Sequence, residues 1–527
     1  MRDVFAKACA AFADRVALVA GAERITYAQV AERAEQLALH LVRLGVKPLD
    51  RVVVQLPNVP EFVYLHLALQ KVGALPIMAL PPHRYLEISH FVRLSNAMGY
   101  VVPARGKDFD YAALAARISS EQSGLRLVLI QGEGAPSEMI SLDELLETDS
   151  GLPRATLDQI TINPLDPALF LLSGGTTGVP KLIPRTHNDY IYNTRRAAKI
   201  TDIEPDDAML AVLPFGHNFP LACPGLQGFL LNGARVVLAA NNQNEYLFEL
   251  IERERITHLE LVPAMLIRML NDPRLRDFDL SSVRIVNTGG QRLQPEAKIK
   301  TEQLIPSCKV QEVFGMAEGM LFYVRLDDSD AARIETVGSP ISAGDEVRLV
   351  DDWGNEVAEG EVGELLCRGP YTLRGYFCAE EHNARAFTDD GFYRTGDLMR
   401  RHASGNYVVE GRKKDLINRG GEKISAEEVE NLILAHPAVQ NVACVPMPDP
   451  ILGERMCACV VLKPNAELDL ETLCAHLDAR GLAKFKLPER LEIFHELPLS
   501  PFGKISKQIL TKQIAALLDY KSSSTRG

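Results

Sequence analysis

The sequence predicts an α/β protein with a large N-terminal domain of stacked, helix-covered sheets and a smaller, mobile α+β C-terminal domain. Helical and strand-like segments alternate along most of the chain, which is typical of parallel sheets covered by helices. The chain has 527 residues, more than one compact core usually contains. Charged residues crowd 410–415 and 418–423. We therefore expect an exposed joint there, dividing the chain into domains at 1–411 and 412–527.

Local signals predict the individual elements. Thr26 and Gln29 form a capping box, and the apolar residues behind it recur at helical spacing. Ser425 and Glu428 form a second capping box, whose helix should end before Pro437. The other main predictions are strands at 51–56, 74–79, 168–172, 283–286, 439–445 and 457–461, and helices at 62–72 and 470–482.

Composition and charge exclude several classes of protein. Hydrophobic residues make up 46% and charged residues 24%, as in ordinary globular proteins. The net charge of 57 − 69 = −12 argues against a nucleic-acid partner. The sequence contains no stretch of 18 uncharged apolar residues, so we expect no membrane span. The N-terminus lacks the apolar run of a signal peptide.

The cysteines favour a cytoplasmic location. There are nine, an odd number without zinc-ligand spacing, which argues against a disulfide framework. The closest pair is Cys457 and Cys459. We expect these two side chains on opposite faces of a strand.

A loop rich in Gly, Ser and Thr follows the predicted strand at 168–172. Glycine lets backbone N–H groups approach phosphate oxygens, and the hydroxyls add donors. The spacing is not that of a Walker A loop, because Val179 and Pro180 stand where the second glycine would be. The candidate phosphate ligands are Gly174, Gly175, Thr176, Thr177, Gly178 and Lys181.

Residues 173–181 resemble the phosphate loop of the adenylate-forming (ANL) superfamily, which includes acyl-CoA synthetases, luciferases and peptide-synthetase adenylation domains. Its other signatures follow in order, at 313–318, 393–397, 411–415 with glycines 420 and 421, and 501–504. The resemblance implies the ANL fold, ATP as substrate and Mg²⁺. It also implies two reactions at one site: a carboxylate forms acyl-AMP with release of pyrophosphate, and a thiol then attacks the acyl-AMP.

The resemblance assigns roles to individual residues. Lys504 would bridge the carboxylate nucleophile and the α-phosphate, and Glu318 would hold Mg²⁺, with Thr176 and Thr177 beside the phosphates. Asp397 would accept hydrogen bonds from the ribose. Outside these motifs, such residues would be ordinary surface or turn charges. The other implied residues are Gly289, Gly290, Gln291, Val313, Phe314, Gly315, Met316 and Arg412 for the nucleotide, Lys414 as hinge, and Gly420 and Gly421 lining the thiol tunnel.

The acid pocket of this family corresponds to residues 215–225. Asn218 stands where amino-acid-activating relatives carry an aspartate, so a substrate ammonium would lack a counter-charge. The segment around it resembles the aryl-acid–AMP ligases of siderophore biosynthesis, which pass 2,3-dihydroxybenzoate or salicylate to an aryl carrier protein. The implied pocket residues are His217, Asn218, Phe219, Cys223, Ala317 and Leu321.

Two of these residues bear on the choice of acid. Relatives that activate 2,3-dihydroxybenzoate usually carry serine at the position of Cys223 and valine at that of Leu321. A thiol is a weak hydrogen-bond partner for a 3-hydroxyl, and leucine takes more space. This favours salicylate, by tenfold or more. The alternative is that Cys223 is a neutral core variant and either acid is accepted.

The partners and the rival functions depend on the thiol. No phosphopantetheine attachment motif follows residue 504, so we expect the carrier protein to act in trans. Family members often begin some tens of residues before the position of Met1, which suggests a shortened N-terminal segment here. One alternative is an aryl- or acyl-CoA ligase with CoA as the thiol. A second is a non-catalytic ligand-binding regulator, against which Lys504, Glu318 and Asp397 argue.

Overall fold

The computed structural model describes residues 1–107, 109–136, 138–173, 180–419, 422–449, 451–480, 482–500 and 504–524. Helices and strands alternate through most of this chain, as the sequence predicted. In chain order, the elements up to residue 186 are α1 (Arg2–Ala11), β1 (Val16–Ala20), β2 (Glu23–Thr26), α2 (Tyr27–Arg43), β3 (Arg51–Val54), α3 (Pro60–Val72), β4 (Leu75–Met78), α4 (Tyr85–Ser95), β5 (Gly99–Pro103), α5 (Tyr111–Glu121), β6 (Leu127–Gln131), β7 (Ile140–Ser141), α6 (Leu142–Glu147), α7 (Ala155–Asp158), β8 (Pro167–Leu172) and β9 (Leu182–Thr186).

The middle of the chain continues the same alternation and then becomes mainly strand. Its elements are α8 (His187–Ile200), β10 (Ala208–Ala211), α9 (Asn218–Ala222), α10 (Gly225–Leu231), β11 (Arg235–Leu238), α11 (Asn244–Glu254), β12 (His258–Leu261), α12 (Pro263–Leu270), β13 (Ile285–Gly289), α13 (Pro295–Leu304), β14 (Lys309–Met316), β15 (Met320–Tyr323), α14 (Asp330–Glu335), β16 (Ser339–Pro340), β17 (Glu346–Val350), β18 (Gly363–Arg368), α15 (Glu380–Ala386), β19 (Tyr393–Arg401) and β20 (Tyr407–Arg412).

The last part of the chain builds a separate α+β unit. Its elements are β21 (Leu416–Arg419), β22 (Glu422–Ser425), α16 (Ala426–Leu434), β23 (Val439–Asp449), β24 (Gly453–Leu462), α17 (Leu470–Ala479), β25 (Arg490–Phe494) and α18 (Lys507–Ser524). These strands pair in the order β22-β21-β24-β23, with β25 parallel to β24. The buried side chains of this unit form an apolar core of their own around Val429, Val442 and Leu473.

Two large sheets form the N-terminal domain. Their strand orders are β16-β15-β14-β13-β12-β10-β11-β1-β2 and β7-β6-β5-β3-β4-β8-β9. Pairing is parallel in the interior of both sheets and antiparallel where β14, β15, β16, β1, β2, β8 and β9 reach the edges. A third sheet, β17-β18-β19-β20, is antiparallel. One extensive apolar core spans residues of both large sheets and the helices between them.

The local predictions are confirmed, with small shifts at the ends. Thr26 caps α2 through a capping box with Gln29. The Ser425 side chain accepts a hydrogen bond from the Glu428 backbone, which is one half of the predicted capping box, whereas the Glu428 carboxylate accepts from Lys486 Nζ at 2.7 Å. Helix α16 ends at Leu434, before Pro437. The predicted strands and helices correspond to β3, α3, β4, β8, β13, β23, β24 and α17.

One prediction about the cysteines is wrong. Cys457 and Cys459 are buried in the same apolar cluster, because residues two apart on a strand share a face. All nine cysteines are free thiols. Among the residues that the structure describes, no helix has the length and apolar character needed to span a membrane.

Candidate active site

Two glycines end β13 and begin the predicted nucleotide loop, which continues into Gln291. A Cβ atom on Gly289 would lie 2.8 Å from the Val313 carbonyl oxygen, so the two strands approach closely only because this residue is glycine. Gly290 has φ +91°, a conformation that favours glycine. After the loop, the Leu293 N–H donates to Glu312 Oε1 on β14 at 2.8 Å, which fixes the loop against that strand.

Lys504 of the C-terminal unit reaches this loop of the N-terminal domain. A Cβ atom on Gly290 would lie 3.2 Å from Lys504 Cε and 3.7 Å from Nζ. Burial, together with the positive charge of the nearby Lys504, lowers the pKa of the His217 imidazole to about 3. His217 is therefore neutral at physiological pH. The structure thus brings together the predicted catalytic lysine, nucleotide loop and acid-pocket segment.

The hairpin of β14 and β15 carries the next predicted motif. Val313 is buried, whereas Phe314 is partly exposed and packs edge-on against Phe322 at 5.7 Å between ring centroids. Gly315 is paired with Leu321 across the hairpin, and a Cβ atom on Gly315 would lie 2.3 Å from Leu321 Cδ2. The leucine side chain therefore covers Gly315.

Glu318 follows the hairpin strand β14 and is held by tyrosines. Tyr376 donates its hydroxyl to Glu318 Oε1 at 2.7 Å, and the Tyr376 and Tyr393 hydroxyls are 2.8 Å apart. Burial raises the pKa of the Glu318 carboxyl group. Lys181 Nζ lies 5.7 Å from the centre of the Tyr376 ring, so this network connects Glu318 to the end of the predicted phosphate loop.

The base of the phosphate loop is closed by two hydrogen bonds between Ser173 and Lys181. The Ser173 N–H donates to the Lys181 carbonyl at 3.0 Å, and the Lys181 N–H donates to Ser173 Oγ at 2.9 Å. The loop residues Gly174, Gly175, Thr176, Thr177 and Gly178 lie outside the described residues, as do Gly420 and Gly421.

Asp397, which is buried, and Arg412, whose side chain is 44% exposed, form an ion pair across neighbouring strands. They are paired residues of β19 and β20, and Arg412 Nε lies 2.8 Å from Asp397 Oδ1. The Asp397 carboxylate raises the pKa of the guanidinium further. A carboxylate offers about four lone-pair sites, so this pairing is compatible with hydrogen bonds to a ligand.

The predicted acid-pocket residues lie on α9, at its two caps, and on the hairpin of β14 and β15. Phe219, Cys223 and Leu321 are buried in one apolar cluster together with Val313 and Tyr323. Asn218 Oδ1 accepts the Tyr190 hydroxyl at 2.9 Å, so its Nδ2 group is the one that can donate to a substrate. Ala317 lies between β14 and β15 and packs against the main core. The predicted pocket residues therefore form a mainly apolar group with one amide, that of Asn218, among them.

The chain matches the family model "AMP-binding enzyme" over residues 5–377 and "AMP-binding enzyme C-terminal domain" over residues 428–504. It belongs to the AMP-binding enzyme family. A salicylyl-CoA synthase / salicylate adenylyltransferase from Streptomyces sp is 47% identical over 511 residues, 96% of this chain and 92% of that protein. The 2,3-dihydroxybenzoate-AMP ligase of Bacillus subtilis (strain 168) is 43% identical over 516 residues, 98% and 94% of the two chains. The salicyl-AMP ligase / salicyl-S-ArCP synthetase of Mycobacterium tuberculosis is 42% identical over 518 residues, 97% and 90%.

Several residues that support the site of this AMP-binding enzyme were missed by sequence reasoning. Arg185 is fully buried, pairs with Asp189 at 2.9 Å and donates to the Ala317 carbonyl at 3.0 Å. Asn193 Nδ2 donates to the Ala222 carbonyl at 2.8 Å, and the Tyr323 hydroxyl donates to the Cys223 carbonyl. The one available signal was the position of Arg185 directly after an apolar run, where a charge needs a buried partner.

The joint between the two parts of the enzyme lies where charge rises in the sequence. Lys414 belongs to a short 3-10 helix, Lys413–Asp415, between β20 and β21. Lys413 Nζ lies 2.9 Å from Glu364 Oε2. Beyond the joint, Ser425 Oγ donates to the Glu410 carbonyl at 2.6 Å.

The Glu318 carboxylate can supply one ligand to a divalent cation. Its oxygens are hard ligands, and Tyr376 occupies Oε1 as a hydrogen-bond donor. No cluster of three or more His, Cys, Asp or Glu side chains suited to a metal occurs among the described residues. A bound Mg²⁺ would therefore take most of its ligands from nucleotide phosphates and water, as is usual for this ion.

Proposed function

We propose that this enzyme activates an aryl acid, salicylate in preference to 2,3-dihydroxybenzoate, to aryl-AMP and then transfers it to the phosphopantetheine thiol of an aryl carrier protein in siderophore biosynthesis. The observation that carries the proposal is the acid pocket. Phe219, Cys223 and Leu321 belong to one buried apolar cluster, and Asn218 supplies a neutral amide beside them. The names of the three relatives support an aryl substrate.

In the first reaction, the aryl carboxylate attacks the α-phosphorus of ATP, and the bond to pyrophosphate breaks. We propose that Lys504 stabilises the negative charge shared by the attacking carboxylate and the α-phosphate. Its place beside Gly290 and neutral His217 supports this role. A preorganised charge of this kind typically lowers the barrier by about 3–4 kcal/mol.

The nucleotide would be held by residues on both sides of Lys504. Gly289, Gly290, Gln291 and the 313–316 strand would receive the adenine, and the Asp397–Arg412 pair would receive the ribose. The loop at 174–178 and Lys181 would bind the phosphates. When bound, Mg²⁺ at Glu318 would neutralise phosphate charge.

Cys223 and Leu321 support salicylate. Asn193 Nδ2 donates to Cys223 Sγ at 3.7 Å, a weak hydrogen bond because a thiol sulfur is a weak acceptor. A 3-hydroxyl placed here would lose its water partners without gaining a good protein partner. Leucine at 321 also fills the space above Gly315. Salicylate, with only hydrogen at this ring position, avoids both costs.

The second reaction requires the thiol to reach the acyl-AMP. We propose that the unit at 412–527 rotates about Lys414, removing Lys504 and opening a path past Gly420 and Gly421. A carrier protein in trans is supported by the name of the M. tuberculosis relative, and the free cysteines are compatible with a cytoplasmic location. CoA is the second candidate thiol, because the Streptomyces relative is named a salicylyl-CoA synthase.

A two-stage assay tests this function. ATP–pyrophosphate exchange with benzoate, salicylate and 2,3-dihydroxybenzoate reports the acid, and thioester formation with pantetheinylated aryl carrier protein or CoA reports the thiol. We expect exchange with the hydroxylated acids and faster transfer to the carrier. Absence of exchange with every aryl acid would refute the function. Faster transfer to CoA would make the protein a CoA ligase.

A further inference from the structure

Glu260 is a buried acidic residue without a role in the reaction described above. It lies on β12 and is 1% exposed. Its Oε1 atom accepts the backbone N–H of Gly225 at 3.0 Å, whereas Oε2 is buried without a hydrogen-bond partner among the described residues. An isolated buried carboxylate is costly, so this group needs an explanation.

The hydrogen bond to Gly225 connects Glu260 to the acid pocket. Gly225 comes two residues after Cys223, and a Cβ atom on it would lie 2.3 Å from the Pro220 carbonyl oxygen. This turn is therefore tightly packed. Asn193 and Tyr323 hold the same turn through the Ala222 and Cys223 carbonyls. Glu260 is the third side chain that fixes the turn, and it reaches the turn from β12 of the nine-stranded sheet.

Glu260 is neutral at physiological pH, because burial raises its pKa to about 8. A protonated carboxyl group still accepts the Gly225 N–H and also offers an O–H donor. Asn287 occupies the paired position on β13, and both polar atoms of its amide are buried without partners among the described residues. Glu260 and Asn287 thus place buried polar atoms without hydrogen-bond partners in the described chain at paired positions of neighbouring strands.

The titratable side chains around Glu260 do not change protonation state in the pH range in which Glu260 does. Within the part of the chain that is described, the titratable groups facing it are Cys223, at the end of α9, and Tyr323, on β15. Burial raises the pKa of Cys223 to about 12 and that of Tyr323 well above its usual value, so both are neutral. Arg185 lies near Cys223 and Arg325 near Tyr323, and both remain cationic.

We propose that Glu260 is a positioning residue for the acid pocket, because its hydrogen bond to the Gly225 N–H holds the turn that carries Cys223. The proposal rests on the proposed function, in which this pocket binds the aryl acid. Ionisation of Glu260 would place a buried negative charge behind a pocket that binds a carboxylate, and both the turn and the substrate would be disfavoured.

The test compares the pH dependence of the wild-type enzyme with that of Glu260→Gln and Glu260→Leu in ATP–pyrophosphate exchange. About one tenth of Glu260 remains protonated one pH unit above its pKa. For the wild type we therefore expect the KM for the aryl acid to rise about tenfold between about pH 7 and 9, with a constant KM for ATP. Glu260→Gln keeps both hydrogen-bonding roles and should abolish the rise. Glu260→Leu should raise the KM for the acid about tenfold already at pH 7.

The outcomes separate this inference from the proposed function. An alkaline rise of the same size in Glu260→Gln, or a flat wild-type profile, would overturn the role of Glu260 while leaving aryl-acid activation intact. If no aryl acid supports exchange at pH 7 in the wild type, the proposed function itself fails. Because glutamine is nearly isosteric with the protonated acid, the test remains decisive even if the leucine variant does not fold.

Discussion

Replacing Cys223 by serine should shift the enzyme toward 2,3-dihydroxybenzoate. Cys223 is buried in the pocket cluster with Leu321, and Asn193 Nδ2 lies 3.7 Å from its sulfur. A serine hydroxyl is smaller than a thiol and both donates and accepts hydrogen bonds. It could therefore pair with a 3-hydroxyl where the thiol cannot, while salicylate gains nothing.

The size of the shift follows from the cost of an unpaired hydroxyl. A buried hydroxyl without a partner costs about 1–3 kcal/mol, or roughly 5- to 150-fold in relative kcat/KM. Serine restores one partner, so we expect the ratio of kcat/KM for 2,3-dihydroxybenzoate over salicylate to rise about tenfold. Leu321→Val removes one methylene group above Gly315, and the double variant should exceed the single one.

The assay is ATP–pyrophosphate exchange with both acids on the same enzyme preparation, because a ratio is insensitive to the fraction of folded protein. Cys308→Ser is the matched control, since Cys308 is also a buried thiol but belongs to a different apolar cluster. An unchanged ratio in Cys223→Ser, or an equal shift in Cys308→Ser, would refute the assignment of Cys223 to the acid pocket.

Three further predictions address the reaction and the fold. Lys504→Ala should abolish adenylation but spare thioester formation from supplied acyl-AMP, and equal loss of both half-reactions would exclude a role specific to the first. Lys414→Pro should retain adenylation better than thioester formation, because proline fixes φ and hinders rotation; the opposite order in single-turnover assays would contradict the hinge. Lys298 and Glu312 form a buried ion pair at 2.5 Å, so Lys298→Met should cost about 3–5 kcal/mol by leaving Glu312 unpaired. Urea denaturation measures this cost, and an unchanged midpoint would show that the pair adds no stability.

The sequence predicted those features of the fold that depend on residues close together in the chain. The helix caps at Thr26 and Ser425 involve residues three apart, and each N-cap side chain accepts a hydrogen bond from the backbone N–H three residues later. Among the motif glycines, Gly289 lies where a close backbone approach excludes a side chain, Gly290 has a positive φ, and Gly315 lies against the Leu321 side chain. The family and its two-part architecture were predictable from these motifs.

The supporting contacts of the site were not predictable in the same way. Arg185 reaches the Ala317 carbonyl, 132 residues away, and Glu260 reaches Gly225 through the order of strands in the sheet. Such pairs depend on topology, which no local pattern encodes. The expectation for Cys457 and Cys459 was wrong for a different reason. Adjacent side chains of a strand point to opposite faces, so residues two apart share a face.

We propose that this enzyme adenylates an aryl acid and prefers salicylate. The most direct test is the kcat/KM for ATP–pyrophosphate exchange with salicylate, 2,3-dihydroxybenzoate and benzoate, measured side by side on the wild-type enzyme. We expect salicylate to exceed 2,3-dihydroxybenzoate by about tenfold, because the Cys223 thiol is a weak hydrogen-bond partner for a 3-hydroxyl. A tenfold preference for 2,3-dihydroxybenzoate would contradict the roles given to Cys223 and Leu321, and no exchange with any of the three acids would contradict the function.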